Sequence, residues 1–86
     1  MLYKRNVNIE FSSIGNEIGM LNIDTGMYYV IDEIGKDLWD YLVDPISVTD
    51  LVNKTLNDYD IDYETCLNDV KQFLQELHER KLIDVV

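Results

Sequence analysis

The chain has 86 residues, of which 47% are hydrophobic and 28% are charged. This size and composition predict one folded domain with a single apolar core, spanning residues 1–86, and they exclude a disordered tail. The 17 acidic and 7 basic side chains give a formal net charge of −10. Nucleic-acid binding depends on clustered Lys and Arg, so the negative net charge argues against a nucleic-acid-binding protein. The negative charge either keeps the protein soluble or attracts a basic partner.

Cysteine content and hydropathy set the expected compartment. Cys66 is the only cysteine, which excludes an intramolecular disulfide. No apolar run approaches the roughly 20 residues that a bilayer-spanning helix needs. The first residues include Lys4 and Arg5 but no apolar segment follows them, unlike a signal peptide. We therefore expect a cytoplasmic protein with no membrane segment.

The first part of the chain has a hydrophobic period of two. Val7, Ile9 and Phe11 alternate with polar residues, a pattern that predicts strand one with one buried and one wet face. Residues 12–16 are mostly polar and predict a turn. Residues 17–23 then predict strand two.

A short hairpin is expected at residues 24–26. Asp24 favours the start of a turn, and Gly26 can take the positive φ that such a loop requires. If Ile23 pairs with Met27, one face of the hairpin carries Leu21, Ile23, Met27, Tyr29 and Ile31, and the other carries Met20, Asn22, Tyr28 and Val30. Strand three is then apolar on both faces, which is unusual for an edge strand. We expect that something covers this strand or binds to it.

The rest of the chain predicts three helices. The expected N-caps are Asp32, Ser47 and Asp62, for helices that end near Val43, Asn57 and Arg80 respectively. The third helix carries an apolar stripe wider than one helix contact requires: Cys66, Leu67, Val70, Phe73, Leu74 and Leu77. Residues 81–86 form a short apolar tail that should pack back on the core.

Three antiparallel strands followed by three helices make an α+β, winged-helix-turn-helix-like fold. With these elements the sequence resembles the PqqD-like proteins, also called RiPP recognition elements, from about Val7 to Val86. The resemblance is carried by residues 21–31, by residues 35–39 with the Leu38-Trp39 pair, and by the Asp-Val-x-x-Phe-Leu-x-x-Leu pattern of residues 69–77. In one departure, the family's turn after the last helix usually contains a glycine. Here that turn reads Arg80-Lys81-Leu82, so the helix end could be longer or differently capped.

The resemblance implies a function. Members of this family bind the leader peptides of ribosomally synthesised natural-product precursors, and the leader adds as an extra strand to the open edge of strand three. We therefore expect a stand-alone adaptor, and not an enzyme, that delivers the precursor peptide to a separately encoded maturation enzyme. That enzyme would be a radical enzyme or a leader peptidase and cyclase, and we favour the latter, as in lasso-peptide pathways.

The resemblance also implies which residues bind the peptide. The backbone of residues 27–30, which includes Tyr28 and Val30, would pair with the leader. An apolar pocket would be formed by Met27, Tyr29, Cys66, Val70, Phe73 and Leu77. Asp69 and Glu76 could hold a leader Lys or Arg.

Each of these assignments has a plainer alternative. Residues such as Val70, Leu74 and Leu77 are more often plain core residues, and residues such as Asp69 and Glu76 more often belong to a solvated helix face. Tyr28 either covers the outer face of the sheet or contacts a partner enzyme.

Other function classes lack the residues that they need. His78 and Cys66, the only histidine and the only thiol, lie about 18 Å apart along the predicted helix. We therefore predict no catalytic, metal or cofactor site. A winged-helix DNA-binding regulator is disfavoured by the acidic third helix. A carrier protein would need an Asp-Ser-Leu attachment site, whereas Ser47 lies between Ile46 and Val48. An acidic protein-docking domain remains an alternative.

Overall fold

A computed structural model describes residues 1–86. The elements are β1 (Tyr3–Arg5), β2 (Ile9–Ile14), β3 (Glu17–Asn22), β4 (Tyr28–Ile31), α1 (Glu33–Tyr41), α2 (Val48–Asp58), α3 (Tyr63–Glu79) and β5 (Ile83–Val85). Strands β2, β3 and β4 form a three-stranded antiparallel sheet in that order, and β1 and β5 form a separate two-stranded ribbon. The predicted α+β arrangement is confirmed. The ribbon, which joins the two ends of the chain, was not predicted.

The core lies between the inner face of the sheet and the three helices. Trp39 of α1 and Met20 of β3 are fully buried at its centre. Other buried side chains come from every helix and from β5, including Leu42, Leu51, Val52, Cys66, Val70, Leu74, Leu77 and Ile83. One apolar core therefore holds the sheet, the helices and β5 together.

All three helices begin at the predicted N-caps. In each case the side chain accepts a hydrogen bond from a backbone N–H three residues later: Asp32 from Gly35, Ser47 from Asp50 and Asp62 from Thr65. Each bond satisfies one of the N–H groups that have no partner inside a helix. Helix α1 ends at Tyr41, slightly before the predicted end at Val43.

The first predicted strand differs from the observed β2. Val7, which we predicted to be buried, is 82% exposed and precedes the strand. Residues 12–14, which we predicted as a turn, continue β2, and Ile14 pairs with Glu17. The turn is therefore only Gly15 and Asn16, and Gly15 has φ +62°. A two-residue turn needs such a positive φ, and glycine adopts it without steric cost.

The predicted register of β3 and β4 is wrong by one residue. Leu21 pairs with Tyr28 and Met20 pairs with Tyr29, so the loop comprises residues 23–27. Because successive side chains point to opposite faces, a slip of one residue exchanges the faces of a strand. Tyr29 accordingly shares the inner face with Met20, and not with Leu21.

The last helix ends in a motif that usually contains glycine. Lys81 has φ +58°, and its N–H donates to the carbonyl of His78 at 3.1 Å. The N–H of Leu82 donates to the carbonyl of Leu77 at 2.9 Å. These two bonds define a Schellman motif, with a lysine in its left-handed position. The tail beyond it packs on the core, as predicted, because Leu82 and Ile83 are buried.

Candidate functional site: an open strand edge beside an apolar groove

Strand β4 forms one edge of the three-stranded sheet. The N–H of Asn22 donates to the carbonyl of Met27 at 3.0 Å, which fixes the phase of the ladder. In an antiparallel pair the backbone groups point alternately toward and away from the neighbouring strand. Tyr29 and Ile31 therefore bond to β3, whereas the N–H and C=O groups of Tyr28 and Val30 point away from the sheet. The edge offers these groups to another extended chain.

The side chains of this edge divide between two faces. Tyr28 and Val30 lie on the outer face and are 57% and 56% exposed, and the Tyr28 ring lies across Gly19 of the neighbouring strand. Tyr29 is half-buried on the inner face. Arg80 is the C-cap residue of α3, and its guanidinium lies over the Tyr29 ring, 4.9 Å from the ring centroid. Tyr29 therefore connects β4 to the end of α3.

A groove of about 270 Å³ lies between α1 and α3. We call it the α1–α3 groove. It begins where β4 ends, since Asp32 directly follows β4 and lines it. Its other lining residues are Ile34, Gly35, Leu38, Thr55, Tyr59, Ile61, Cys66, Asp69, Val70 and Phe73. The lining is mostly apolar, with the carboxylates of Asp32 and Asp69 as its charged groups.

Gly35 allows the helices to come together at the start of this groove. A Cβ at this position would collide with Ile31, and it would lie 3.0 Å from the ring of Phe73. The absence of a side chain therefore lets Phe73 of α3 approach α1 directly. The end of β4, the first turn of α1 and the middle of α3 meet at this point.

Tyr59 holds the opposite wall of the groove in place. Its hydroxyl donates to the carboxylate of Asp37 on α1, and this hydrogen bond raises the pKa of Tyr59 to about 12. Since Tyr59 follows α2 directly, the bond ties the start of the α2–α3 loop to α1. The hydroxyl is therefore protonated at neutral pH and can donate this hydrogen bond.

Cys66 lies beneath the groove and is fully buried. Burial raises the pKa of its thiol, and the carboxylates of Asp69 and Asp62 add to this effect. The thiol lies 3.8 Å from the carbonyl of Val52, to which it donates. Nucleophilic cysteines need a lowered pKa and access to solvent, so Cys66 is a packing residue.

The predicted peptide-binding residues fall into three groups. The first group belongs to β4 and the loop before it and comprises Met27, Tyr28, Tyr29 and Val30. The second group lines the α1–α3 groove and comprises Cys66, Asp69, Val70 and Phe73. The third group, Glu76 and Leu77, lies on α3 outside the groove lining. Val70 and Leu77 are almost completely buried. Of the groove-lining residues of α3, Phe73 is half-buried and Asp69 is exposed.

The wall of the groove formed by α1 and the α2–α3 loop was not predicted from the sequence. This wall includes Ile34, Leu38, Tyr59 and Ile61. Ile34 lies one helical turn before the buried Leu38 on α1, yet it is 50% exposed. The sequence carries no signal for this exposure, because it depends on which elements pack beside the helix.

Asn22 has a structural role that was not predicted from the sequence. It is completely buried, and its Nδ2 donates to the carbonyl of Lys81 at 3.0 Å. Its Oδ1 accepts from the backbone N–H groups of Asp24 and Thr25 at 3.0 and 3.2 Å. One amide therefore shapes the loop before β4 and ties it to the end of α3.

No group of three or more His, Cys, Asp and Glu side chains is arranged to hold a metal ion. No helix has the length and apolar content that crossing a bilayer requires.

The chain is similar to a family model and to solved structures. The family model described as "Coenzyme PQQ synthesis protein D (PqqD)" matches residues 17–83. No curated protein sequence matches. A solved structure described as TbiB1 in complex with the TbiA(beta) leader peptide is similar, with a TM-score of 0.88 and 24% identity over 96% of both chains. A second, described as lasso peptide synthetase B1 complexed with the leader peptide, has a TM-score of 0.83 and 14% identity over 96% of this chain and 98% of the other.

Proposed function

Because the chain belongs to the PqqD family, we propose that it binds the leader segment of a ribosomally synthesised precursor peptide by adding it as a strand to β4. The observation that carries this proposal is the position of an unpaired strand edge beside an apolar groove. Both similar solved structures are complexes with leader peptides, which supports the ligand class.

Main-chain hydrogen bonds would supply the sequence-independent part of the affinity. The outward N–H and C=O groups of Tyr28 and Val30 would pair with the leader, as in other cases of strand addition. Alternate leader side chains would then point to the helix side of the sheet. There they would meet Tyr29 and Phe73, and a bulky apolar side chain near the end of β4 would enter the α1–α3 groove.

The charges around the groove favour a leader with basic residues. Asp69 lies on the same face of α3 as Phe73 and lines the groove, and Glu76 lies about two turns after Asp69 on that face. Both are exposed, so a pair with a leader Lys or Arg contributes little affinity and is weakened by salt. These carboxylates tune selectivity, whereas the backbone and the apolar contacts supply most of the binding.

In this proposal the protein is an adaptor without catalytic activity of its own. It would deliver the bound leader to a separate maturation enzyme, and the described B1 neighbour favours a leader peptidase and cyclase of a lasso-peptide pathway over a radical enzyme. The buried Cys66 and the exposed His78 are consistent with a role that requires no nucleophile.

The proposal is tested by a fluorescence-anisotropy titration. The labelled ligand is the leader peptide of the precursor encoded nearest this protein, and a scrambled leader of the same composition serves as the control. We expect saturable binding of the leader and none of the scrambled peptide. Equal binding of both peptides would contradict the proposal. Binding of neither would also contradict it and would favour an acidic protein-docking or carrier domain. The intact mass of the purified protein would then test for the prosthetic group of a carrier domain.

A further inference from the structure

A second groove lies on the other side of α3 and has no part in the proposed leader site. It measures about 440 Å³ and lies between α3, the start of α2 and the ribbon formed by β1 and β5. We call it the ribbon groove. Its apolar lining comes from Met1, Tyr3, Val48, Leu74 and Val85, and its polar lining from Lys71, Gln75 and His78.

The ribbon groove differs in charge from the rest of the protein. The chain carries 17 acidic and 7 basic side chains, yet no carboxylate lines this groove, and its ionisable side chains other than Tyr3 are Lys71 and His78. Gln75, which lies between them on α3, donates to Glu79 at 3.3 Å, and Glu79 lies outside the lining. The groove is therefore a basic and apolar site on an acidic protein.

Strand β5 presents an open edge next to this groove. Leu2 and Val86 exchange backbone hydrogen bonds at 3.1 and 2.8 Å, and the N–H of Asn6 donates to the carbonyl of Leu82 at 3.0 Å. The alternation of an antiparallel ladder then turns the backbone groups of Val85 away from β1. On its other side β1 already pairs with Ile46 through Tyr3. The free edge of the ribbon is therefore β5, whose Val85 side chain lines the groove.

The two sides of α3 thus have opposite charge. Asp69 and Phe73 face the α1–α3 groove, whereas Lys71 and His78, two turns apart on the helix, face the ribbon groove. The buried Val70 and Leu77 separate the two sides. The nearest charges therefore favour a basic ligand in the α1–α3 groove and an acidic ligand in the ribbon groove.

We propose that the ribbon groove is a docking site for an extended segment of a partner protein in which apolar residues alternate with Asp or Glu. The open backbone edge at Val85 selects an extended conformation, and the apolar floor of Tyr3, Val48 and Leu74 takes alternate side chains. Lys71 attracts the acidic residues, and the imidazole N–H of His78 can donate a hydrogen bond to them. The proposal is independent of leader binding, because none of these residues belongs to the leader site.

The test is an NMR titration of the ¹⁵N-labelled protein with a synthetic probe. The probe is a short capped peptide in which Val alternates with Glu and Asp, and the control peptide has Lys in place of every acid. We expect saturable shifts of the backbone signals of Lys71, Gln75, His78 and Val85 with the acidic peptide only. Lys71→Glu should weaken binding about fivefold or more, whereas Lys54→Glu, the same charge change on an exposed position of α2, should not.

Any of three results would overturn the proposal. The first is that the acidic peptide produces no localised shifts at saturating concentration. The second is that it shifts residues of β4 and the α1–α3 groove instead, and the third is that both charge variants weaken binding equally.

Parallel experiments distinguish two other occupants of the ribbon groove. Shifts with decanoate but not with the peptide would assign the groove to a small amphipathic anion, and a dimer in sedimentation velocity that Lys71→Glu dissociates would assign it to a second copy of this chain. Either result would also reject the partner segment.

Discussion

The two edges of the three-stranded sheet have the same backbone geometry but different surroundings. At the β2 edge, Asn8 accepts from Ile23 at 3.2 Å, so by the same alternation the backbone groups of Phe11 and Ser13 point outward. At the β4 edge the outward groups are those of Tyr28 and Val30. Both edges could pair with another strand on hydrogen-bonding grounds alone.

The difference lies in what stands beside each edge on the inner face. At β2, Phe11 packs edge-to-face against Trp39 with a centroid separation of 5.7 Å, and the guanidinium of Arg5 lies over both rings. Arg5 also donates to the carbonyl of Trp39 at 2.8 Å and pairs with Asp40. At β4 the inner face leads into the α1–α3 groove. An open edge becomes a binding site only where its neighbours leave room for the side chains of an added strand.

The largest difference in leader affinity between the two edges should appear when one outward N–H is removed from each. Val30→Pro removes a donor that faces the proposed leader, and we expect leader affinity to fall about a hundredfold or more. Ser13→Pro makes the same change at the β2 edge and should leave leader affinity unchanged. Proline is tolerated at edge positions whose N–H faces solvent, so circular dichroism should show both variants folded. Full leader binding by a folded Val30→Pro variant would reject strand addition at β4.

The aromatic residues beside the two edges form a second matched pair. Phe73→Ala should lower the free energy of unfolding by about 2 kcal/mol, because the side chain is half-buried, and should weaken leader binding about tenfold or more. Phe11→Ala should destabilise the protein by a similar amount through lost packing on Trp39, with no change in leader affinity. Urea unfolding and the anisotropy titration measure the two effects separately. A loss of affinity in both variants that simply follows their loss of stability would mean that Phe73 does not contact the leader.

A substitution at the end of α3 should change stability without affecting either edge. Lys81 occupies a left-handed conformation, which costs a non-glycine residue roughly 1–2 kcal/mol. Lys81→Gly should therefore raise the free energy of unfolding, by about 1 kcal/mol after the greater freedom of glycine in the unfolded chain is included. Lys71→Gly, in the helical interior of α3, should have the opposite sign and about the same size. A Lys81→Gly variant that is less stable than the parent would contradict the described helix end.

The smallest effect should come from the exposed carboxylates. Asp69→Asn should reduce leader affinity by less than about fivefold at low salt, and the difference should vanish as ionic strength rises. Asp40→Asn, next to the β2 side, removes the same charge and should leave the affinity unchanged. Anisotropy titrations over a range of NaCl concentrations measure both variants. If the two variants respond identically to salt, Asp69 acts only through the net charge of the protein.

The differences between the predicted and observed site arise at positions where distant elements meet. The apolar character of residues 28–31 and of Phe73 was visible in the sequence, because each follows from its own strand or helix period. The α1 wall with Ile34 was not, since whether an apolar helix residue is covered depends on the element packed beside it. In the sequence Gly35 is one glycine within a predicted helix. Only the structure shows that Ile31 and Phe73 leave no room for a side chain there.

The sequence by itself determined the three helices, their caps at Asp32, Ser47 and Asp62, and the order of three strands before them. Each of these depends on residues only a few positions apart, such as a carboxylate and the N–H three residues later. The tertiary structure decided the register of β3 and β4, because it is fixed by Asn22, whose amide is buried against the carbonyl of Lys81 at the far end of the chain. It also decided the β1–β5 ribbon and both grooves, since these arise only when segments distant in sequence pack together.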